Sequence, residues 1–167
     1  ALEFPCLFAE PSIRPTTMVR SHRGNGHWSS HPFNVELLQS DLLPLVSSGE
    51  GHGALFVSRA GTNRASKCAV EVESIAREAG YRVVRLHEIP WREQLAEFAG
   101  AHRVVAQHGA GLANLVMCSA NTEVVELMDP SYASPLYSLL SEQLNLAYRR
   151  IVANLDNVGP WRRALQQ

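Results

Sequence analysis

The chain has 167 residues, of which 46% are hydrophobic, and a formal net charge of −1. This length suffices for one domain with a hydrophobic core and is too short for two substantial domains. The near-neutral charge provides no broad basic field, which argues against nucleic acid or an anionic membrane surface as a partner. No apolar run approaches the ~20 residues needed to cross a bilayer, so we expect no membrane insertion by this segment.

The first 50 residues predict an irregular lead-in with one helix. Residues 1–31 are rich in Pro, Ser, Arg and His, and the apolar residues of 35–46 recur at near-helical spacing, interrupted by Pro44. The chain begins with Ala1 and without the basic start and apolar core of a signal peptide. We interpret 1–50 as a linker or the end of a missing N-terminal domain, and 51–167 as the main domain.

Short β-rich runs alternate with amphipathic stretches from residue 54 onward. The predicted strands are 54–58, 81–86, 103–107, 123–128 and 148–153. The predicted helices are 70–79, 91–100, 112–118 and 135–146, with a last helix beginning near 160. This alternation implies right-handed βαβ crossovers and a parallel sheet covered on both faces. We therefore predict an α/β fold, a Rossmann-like doubly wound parallel sheet.

The cysteines and the clustered histidines do not predict a metal site. Three cysteines are too far apart for a disulfide framework or a paired metal motif, and we expect reduced thiols at Cys6, Cys68 and Cys118, the last of them buried. Three histidines lie close together in a loop-like segment without a nearby cysteine, at His22, His27 and His31. We favour a solvated loop over a metal site for them.

The most informative stretch is 108–114, with the sequence HGAGLAN, between a predicted strand and a predicted helix. Gly109 and Gly111 allow backbone N–H groups to come close to a ligand, and the helix directs its partial positive charge toward the same place. This pattern is typical of a phosphate site. The alternative is that both glycines only shape a tight turn between the strand and the helix.

Two arginines follow the first predicted strand, and the glycine-rich turn follows the third. Because the carboxyl ends of parallel strands lie at the same edge of the sheet, we expect the arginines and the turn to meet there, where such sheets bind their ligands. The guanidinium groups of Arg59 and Arg64 suit a diphosphate, which a planar fork of fixed charge binds well. The alternative is that both are ordinary surface charges.

Several polar residues near this edge have more than one interpretation. His108 either contacts a phosphate oxygen, caps the helix or acts as an acid or base. Asn114 and Gln94 are better explained as residues that pin loops than as ligand contacts. Glu126 lies in an apolar strand, where a carboxylate is costly unless it is paired or bonded to a ligand hydroxyl.

Several enzyme classes lose their main support because their motifs are missing from the sequence. There is no Gly-x-x-x-x-Gly-Lys-Ser/Thr loop and no Gly-x-Ser-x-Gly elbow, which argues against NTPases, kinases and esterases. A dinucleotide-binding enzyme would need an acidic residue after the second strand, which Glu88 nearly provides, but the glycine fingerprint is absent.

Taken together, several motifs resemble glycosyltransferase family 61 in order over about residues 54–150. These motifs are Val57-Ser58-Arg59, Arg64, a Glu71-containing helix ending at Gly80-Tyr81, Glu93-Gln94, Phe98 to Ala101, His108 to Asn114 and Val124 to Leu127. Of these, the His-Gly-Ala-Gly-Leu-x-Asn element is the most specific. Where the family usually has Asn-Glu, this chain has Cys68-Ala69, which cannot supply the same hydrogen bonds.

The resemblance implies the donor-binding half of a GT-B glycosyltransferase, which transfers sugar from a nucleotide sugar, such as a UDP-sugar, to a glycan hydroxyl with inversion. It implies no bound metal and no cofactor besides the donor. Its donor-site residues would be Arg59, Arg64, His108, Gly109, Ala110, Gly111, Leu112, Asn114 and Glu126, with Glu126 near the ribose or sugar. The resemblance assigns no residue as the catalytic base, for which His108 is a reserve candidate. The alternative is a non-catalytic nucleotide- or phosphosugar-binding module. The expected free thiols favour a cytoplasmic location of the protein over a secretory lumen.

Overall fold

The computed structural model describes residues 23–24, 27–28, 32–46, 53–132 and 134–166, and its centre is a five-stranded parallel sheet. The strands are β1 (Arg23–Gly24), β2 (His27–Trp28), β3 (Gly53–Val57), β4 (Arg82–Val84), β5 (Ala101–Gln107), β6 (Glu123–Met128) and β7 (Ala147–Val152). The α-helices are α1 (Pro32–Leu42), α2 (Ala69–Glu78), α3 (Trp91–Ala99), α4 (Leu136–Gln143) and α5 (Val158–Gln166). Strands β1 and β2 form a separate antiparallel pair, and the large sheet has the order β4-β3-β5-β6-β7.

Two hydrophobic clusters cover the two faces of the large sheet. Val104 of β5 packs in one cluster with Phe98 and Leu115, whereas its neighbour Val105 packs in the other with Val72 and Trp161. Because helices cover both faces, the central strands contain apolar runs such as Val104 to Ala106, whose side chains are buried on both sides of the sheet. The predicted Rossmann-like, doubly wound α/β fold is confirmed.

The predicted strands and helices have the observed order, and their ends differ for local reasons. Strand β4 is shorter than predicted because Val84 pairs with Val57, the last residue of β3, and the chain then enters a 3₁₀ turn at Leu86–Glu88. The helix predicted over 135–146 ends at Gln143, and Asn145 then has a φ of 53°, a left-handed conformation that does not continue a helix.

The helix after the glycine-rich segment is a 3₁₀ helix at Ala110–Met117, which we call the turn helix. It begins two residues earlier than the helix predicted over 112–118, and the Leu112 N–H donates to the Gly109 carbonyl at 3.0 Å. Because a 3₁₀ helix bonds residues that are three apart, this helix begins directly after Gly109.

Helix α1 packs against the turn helix although it precedes the predicted domain boundary at residue 50. Val35 is buried in the cluster that contains Leu115, and the Gln39 side-chain amide donates to the Val116 carbonyl at 2.8 Å. The α-helix ends before Pro44, where a short 3₁₀ helix, Leu43–Leu45, replaces it. The connector at 47–52 lies outside the described residues, and the boundary stays a prediction.

The strand order has one reversal, which determines where a ligand crevice can form. The chain passes from β3 to β4 on one side, then crosses back to β5 on the other side of β3. In open sheets of this kind, the crevice lies beyond the carboxyl ends of the two strands at the reversal. Here that position is the carboxyl ends of β3 and β5, where Arg59 and His108 follow.

Some sequence predictions fall on parts of the chain that the structure does not describe. Cys6, His22 and His31 lie outside the described residues, and for His27 only the backbone is described, so the histidine prediction stays a prediction. Among the described residues, no helix combines the length and apolar character that a membrane span requires.

The Cys118 thiol is expected to resist alkylation in the folded protein at pH 8. Cys118 is buried and unpaired, as predicted, and burial raises the pKa of its thiol to about 12. Since the thiolate is the nucleophile, the folded protein presents almost none of it. Peptide mass spectrometry after iodoacetamide treatment should show modified Cys118 only in urea. Rapid labelling in the native state would contradict the burial.

Candidate functional site

Arg59 lies at the reversal of strand order, two residues after the end of β3. Its Nη1 donates to the His108 carbonyl at 2.8 Å, so the side chain bridges from the end of β3 to the end of β5. Burial lowers the pKa of the Arg59 guanidinium, and the nearby positive charge of Arg64 lowers it further. An arginine keeps its charge despite such shifts. The two cations therefore create a local positive charge in a protein of near-neutral total charge.

Neither of these arginines has a carboxylate partner within the described part of the chain. The ion pairs there involve other arginines, such as Arg85 with Glu73, Arg82 with Glu97 and Arg103 with Glu123. The positive charges of Arg59 and Arg64 repel each other, and a bound anion would relieve that repulsion. This arrangement favours an anion site over the ordinary surface charges that the sequence left as an alternative.

A glycine is needed at position 109 because a larger side chain would not fit there, and not because of the backbone conformation. Its φ of 164° is extended, a conformation that any residue adopts, but a Cβ at this position would lie 2.7 Å from Nη1 of Arg59. A Cβ at Gly111 would similarly lie 2.6 Å from the Leu86 side chain. The two glycines therefore let Arg59 and Leu86 approach the backbone of the turn helix.

Three consecutive backbone N–H groups at the start of the turn helix have no acceptor among the described residues. They belong to Gly109, Ala110 and Gly111, whereas the flanking N–H groups of His108 and Leu112 donate to Leu127 and Gly109. Unpaired N–H groups at a helix start, next to a guanidinium, are suited to phosphate oxygens.

Arg59 separates two cavities at this sheet edge, with volumes of about 280 and 260 Å³. The first, the glycine-side cavity, has a mainly apolar lining that includes Val57, Leu86, His87, Gly111 and Leu112. The second, the histidine-side cavity, is lined by Arg64, Gln107, His108, Met128, Asp129 and Tyr132. A ligand at Arg59 would thus have an apolar recess on one side and, on the other, a recess whose lining includes charged and polar residues.

Glu126 is completely buried at the centre of a polar cluster, with 0% of its side chain exposed. One carboxylate oxygen contacts Nδ1 of His108, and the other accepts a hydrogen bond from the Tyr148 hydroxyl and lies 3.4 Å from Nε of Arg150. The paired role that the sequence left open for Glu126 is therefore present. Direct contact with ribose or sugar stays a prediction that this burial does not favour.

Asn114 and Gln94 pin the loops around the site, which is the role that the sequence favoured. The Asn114 amide donates to Gln94 Oε1 at 3.3 Å, and the Gln94 amide donates to the carbonyls of Leu86 and Ile89 at 2.8 and 3.2 Å. Helix α3 thus connects the turn helix to the segment that lines the glycine-side cavity.

The structure brings the predicted site residues together to different degrees. Arg59, Arg64, His108, Gly109, Ala110, Gly111 and Leu112 line one or both cavities, whereas Asn114 and Glu126 support them from behind. Cys68, at the departure from the family pattern, lines neither cavity and donates to the Leu155 carbonyl.

Sequence reasoning missed Tyr148 and Arg150, which complete the cluster around Glu126. The two residues are two apart on β7 and therefore face the same side of the strand, and Arg150 pairs in register with Glu126. A polar pair at strand spacing, beside a strand with a buried carboxylate, was the available signal.

Comparisons with known proteins assign the chain to a family. The family described as Glycosyltransferase 61 matches residues 4–125, which is most of the chain and includes both arginines and the turn helix. The chain belongs to glycosyltransferase family 61. The resemblance that its motifs predict is thereby confirmed, although the match ends one residue before Glu126.

A curated relative in this family is the beta-1,2-xylosyltransferase RCN11 of Oryza sativa subsp. japonica. It is 37% identical over 60 residues, which are 36% of this chain and 11% of the relative. The match therefore covers about one ninth of that protein's length.

Gly109→Ala is expected to weaken binding of UDP while leaving the fold intact. The added Cβ meets the end of a flexible side chain, so Arg59 would move away from the His108 carbonyl without a backbone change. We expect a loss of about tenfold, measured by calorimetry, from one charged hydrogen bond. Gly159→Ala is the control, since a Cβ there meets nothing within 4 Å. Unchanged affinity in Gly109→Ala would contradict this role of the glycine.

Proposed function

We propose that this chain is the donor-binding half of an inverting, GT-B-type glycosyltransferase. It binds the diphosphate of a nucleotide sugar, such as a UDP-sugar, at the carboxyl ends of β3 and β5. The sugar is transferred to a hydroxyl of a glycan acceptor, with a further domain contributing the acceptor site. Family membership and the name of the rice xylosyltransferase support this activity class.

The single observation that carries the proposal is the position of Arg59. It bridges the two strands at the reversal, lies against Gly109 and has Arg64 as a second cation beside it. Unpaired N–H groups of residues 109–111 lie beside it at the start of the turn helix. A nucleoside diphosphate supplies the negative charge and the acceptor oxygens that this set of donors lacks.

The same residues would assist the chemical step. As the bond from the sugar to the diphosphate breaks, negative charge grows on the departing diphosphate. Guanidinium groups and fixed N–H groups stabilise that charge more strongly in the transition state than in the ground state. In this proposal Arg59 and Arg64 supply the positive charge, and the transfer does not depend on a metal ion.

Calorimetric titration with UDP tests the binding step. We expect saturable heat with a dissociation constant in the micromolar to millimolar range. No heat at millimolar UDP would overturn the proposal. Titration with uridine serves as the comparison, since it lacks the diphosphate and is expected to bind much more weakly.

Hydrolysis of UDP-xylose in the absence of an acceptor distinguishes an enzyme from a binding module. The xylosyl donor is chosen because of the relative's name. Slow turnover by the longest form of the protein, lost in Arg59→Ala, would support an enzyme. UDP binding without turnover of any UDP-sugar would support the non-catalytic module.

A further inference from the structure

The ring of His108 is held in one orientation in the wall of the histidine-side cavity. Its side chain is 14% exposed, and it packs between the rings of Tyr132 and Tyr137, at centroid distances of 4.7 and 5.2 Å. Its Nδ1 contacts a carboxylate oxygen of Glu126. These contacts on three sides leave the ring little freedom to flip.

The partners of Glu126 determine which nitrogen of His108 is available. The Tyr148 hydroxyl donates to the other oxygen of Glu126, and the Arg150 guanidinium provides a cationic partner, so both carboxylate oxygens act as acceptors. A carboxylate that accepts from Nδ1 fixes the proton on that nitrogen. The other nitrogen, Nε2, has no hydrogen-bond partner among the described residues, and it is not fully buried.

We propose that Glu126 is a positioning residue that directs Nε2 of His108 toward the bound diphosphate, and that binding is accompanied by uptake of one proton at Nε2. This inference rests on the proposed function, because it takes the diphosphate as the ligand. Phosphate oxygens only accept hydrogen bonds, so a neutral Nε2, with its lone pair, cannot bond to them. The proton comes from solvent, Nδ1 keeps its own proton, and Glu126 remains the counter-ion.

The charges around the ring explain why the proton would arrive with the ligand. The titratable and charged groups near it are Arg59 and Arg64 after β3, Glu126 and Asp129 on and after β6, Tyr132, Tyr137 on α4, and Tyr148 and Arg150 on β7. The two arginines on the cavity side repel a positive charge on the ring, whereas Glu126 attracts it. A bound diphosphate adds negative charge on the cavity side and so favours the proton on Nε2.

Nitrogen chemical shifts of ¹⁵N-labelled histidine at pH 8 test the positioning without any ligand. We expect His108 to be neutral, with its proton on Nδ1. Saturation with UDP should then add a proton on Nε2. A free protein with the proton on Nε2, or with both nitrogens already protonated, would overturn the inference. So would a ring state that UDP leaves unchanged.

Calorimetry in two buffers of different ionisation enthalpy measures the number of protons taken up. At pH 8 the phosphates of UDP are ionised, so we expect uptake approaching one proton per UDP. Glu126→Gln should abolish most of the uptake and weaken UDP binding about tenfold. Glu123→Gln, on the same strand but paired with Arg103, is the matched control and should behave like the wild type.

A second variant keeps the test decisive if Glu126→Gln does not fold. His108→Asn removes the titrating ring, and we expect UDP to bind without proton uptake. Uptake that persists in His108→Asn would overturn the inference while the proposed function stands. If UDP does not bind the wild-type protein at all, the proposed function fails, and this inference fails with it.

Discussion

Arg59→Ala is expected to weaken UDP binding about thirtyfold, which corresponds to the loss of about 2 kcal/mol from hydrogen bonds to a charged group. Its guanidinium is fixed by the His108 carbonyl at the reversal of strand order, so little ordering is needed when the ligand binds. Arg64 is exposed, and Arg64→Ala is expected to cost only about threefold. Calorimetry with UDP measures both losses.

Two further variants separate charge from geometry in this result. Arg59→Lys keeps the positive charge but not the planar fork, so its affinity should fall between that of the wild type and that of Arg59→Ala. Arg162→Ala removes one exposed arginine from α5 and should bind UDP normally. Equal losses in Arg59→Ala and Arg162→Ala would show that only net charge matters and would contradict a specific site.

Glu73→Gln is expected to lower the free energy of unfolding at pH 7 by about 2 kcal/mol, less than for a fully buried pair because Arg85 is 33% exposed. Glu73 lies on α2 with 2% of its side chain exposed, and Arg85 donates to both of its carboxylate oxygens at 2.6 and 2.9 Å. This pair attaches α2 to the segment that supplies Leu86 and His87 to the glycine-side cavity.

The destabilisation should depend on pH with a definite sign. The Arg85 hydrogen bonds lower the pKa of Glu73 from its ordinary value of 4.5 to about 2. A lowered carboxylate pKa stabilises the folded state above pH 4.5, and the contribution disappears as the pH falls from 4.5 to 2. The difference between wild type and Glu73→Gln in urea unfolding should therefore shrink over this range. Glu71→Gln, an exposed position on the same helix, is the control for the loss of one carboxylate without the loss of an arginine pair.

Most of the fold could be predicted from the sequence because its signals are local. Runs such as Val104 to Ala106, which is apolar, and Val124 to Leu127, which is apolar except for Glu126, specify buried parallel strands where amphipathic stretches separate them. Strand order could not be predicted in this way, because it depends on which strands pair across the sheet. That order makes the ends of β3 and β5, rather than another pair, the crevice.

The candidate site was predicted in part, and the missing part has a physical reason. Arg59 and Gly109 could be identified because the carboxyl ends of parallel strands share one edge of the sheet. Their mutual contact, in which a Cβ on Gly109 would collide with Arg59, is a tertiary feature without a local signal. The same holds for Tyr148 and Arg150, which reach Glu126 only because β6 and β7 pair in that register.

The central claim is that the N–H groups of residues 109–111, together with Arg59, hold the diphosphate of the donor. Amide ¹H–¹⁵N spectra of the protein during titration with UDP test it most directly. We predict that Gly109, Ala110 and Gly111 show the largest shifts and that uridine does not reproduce them. Saturable UDP binding that leaves these three amides unshifted would contradict the claim.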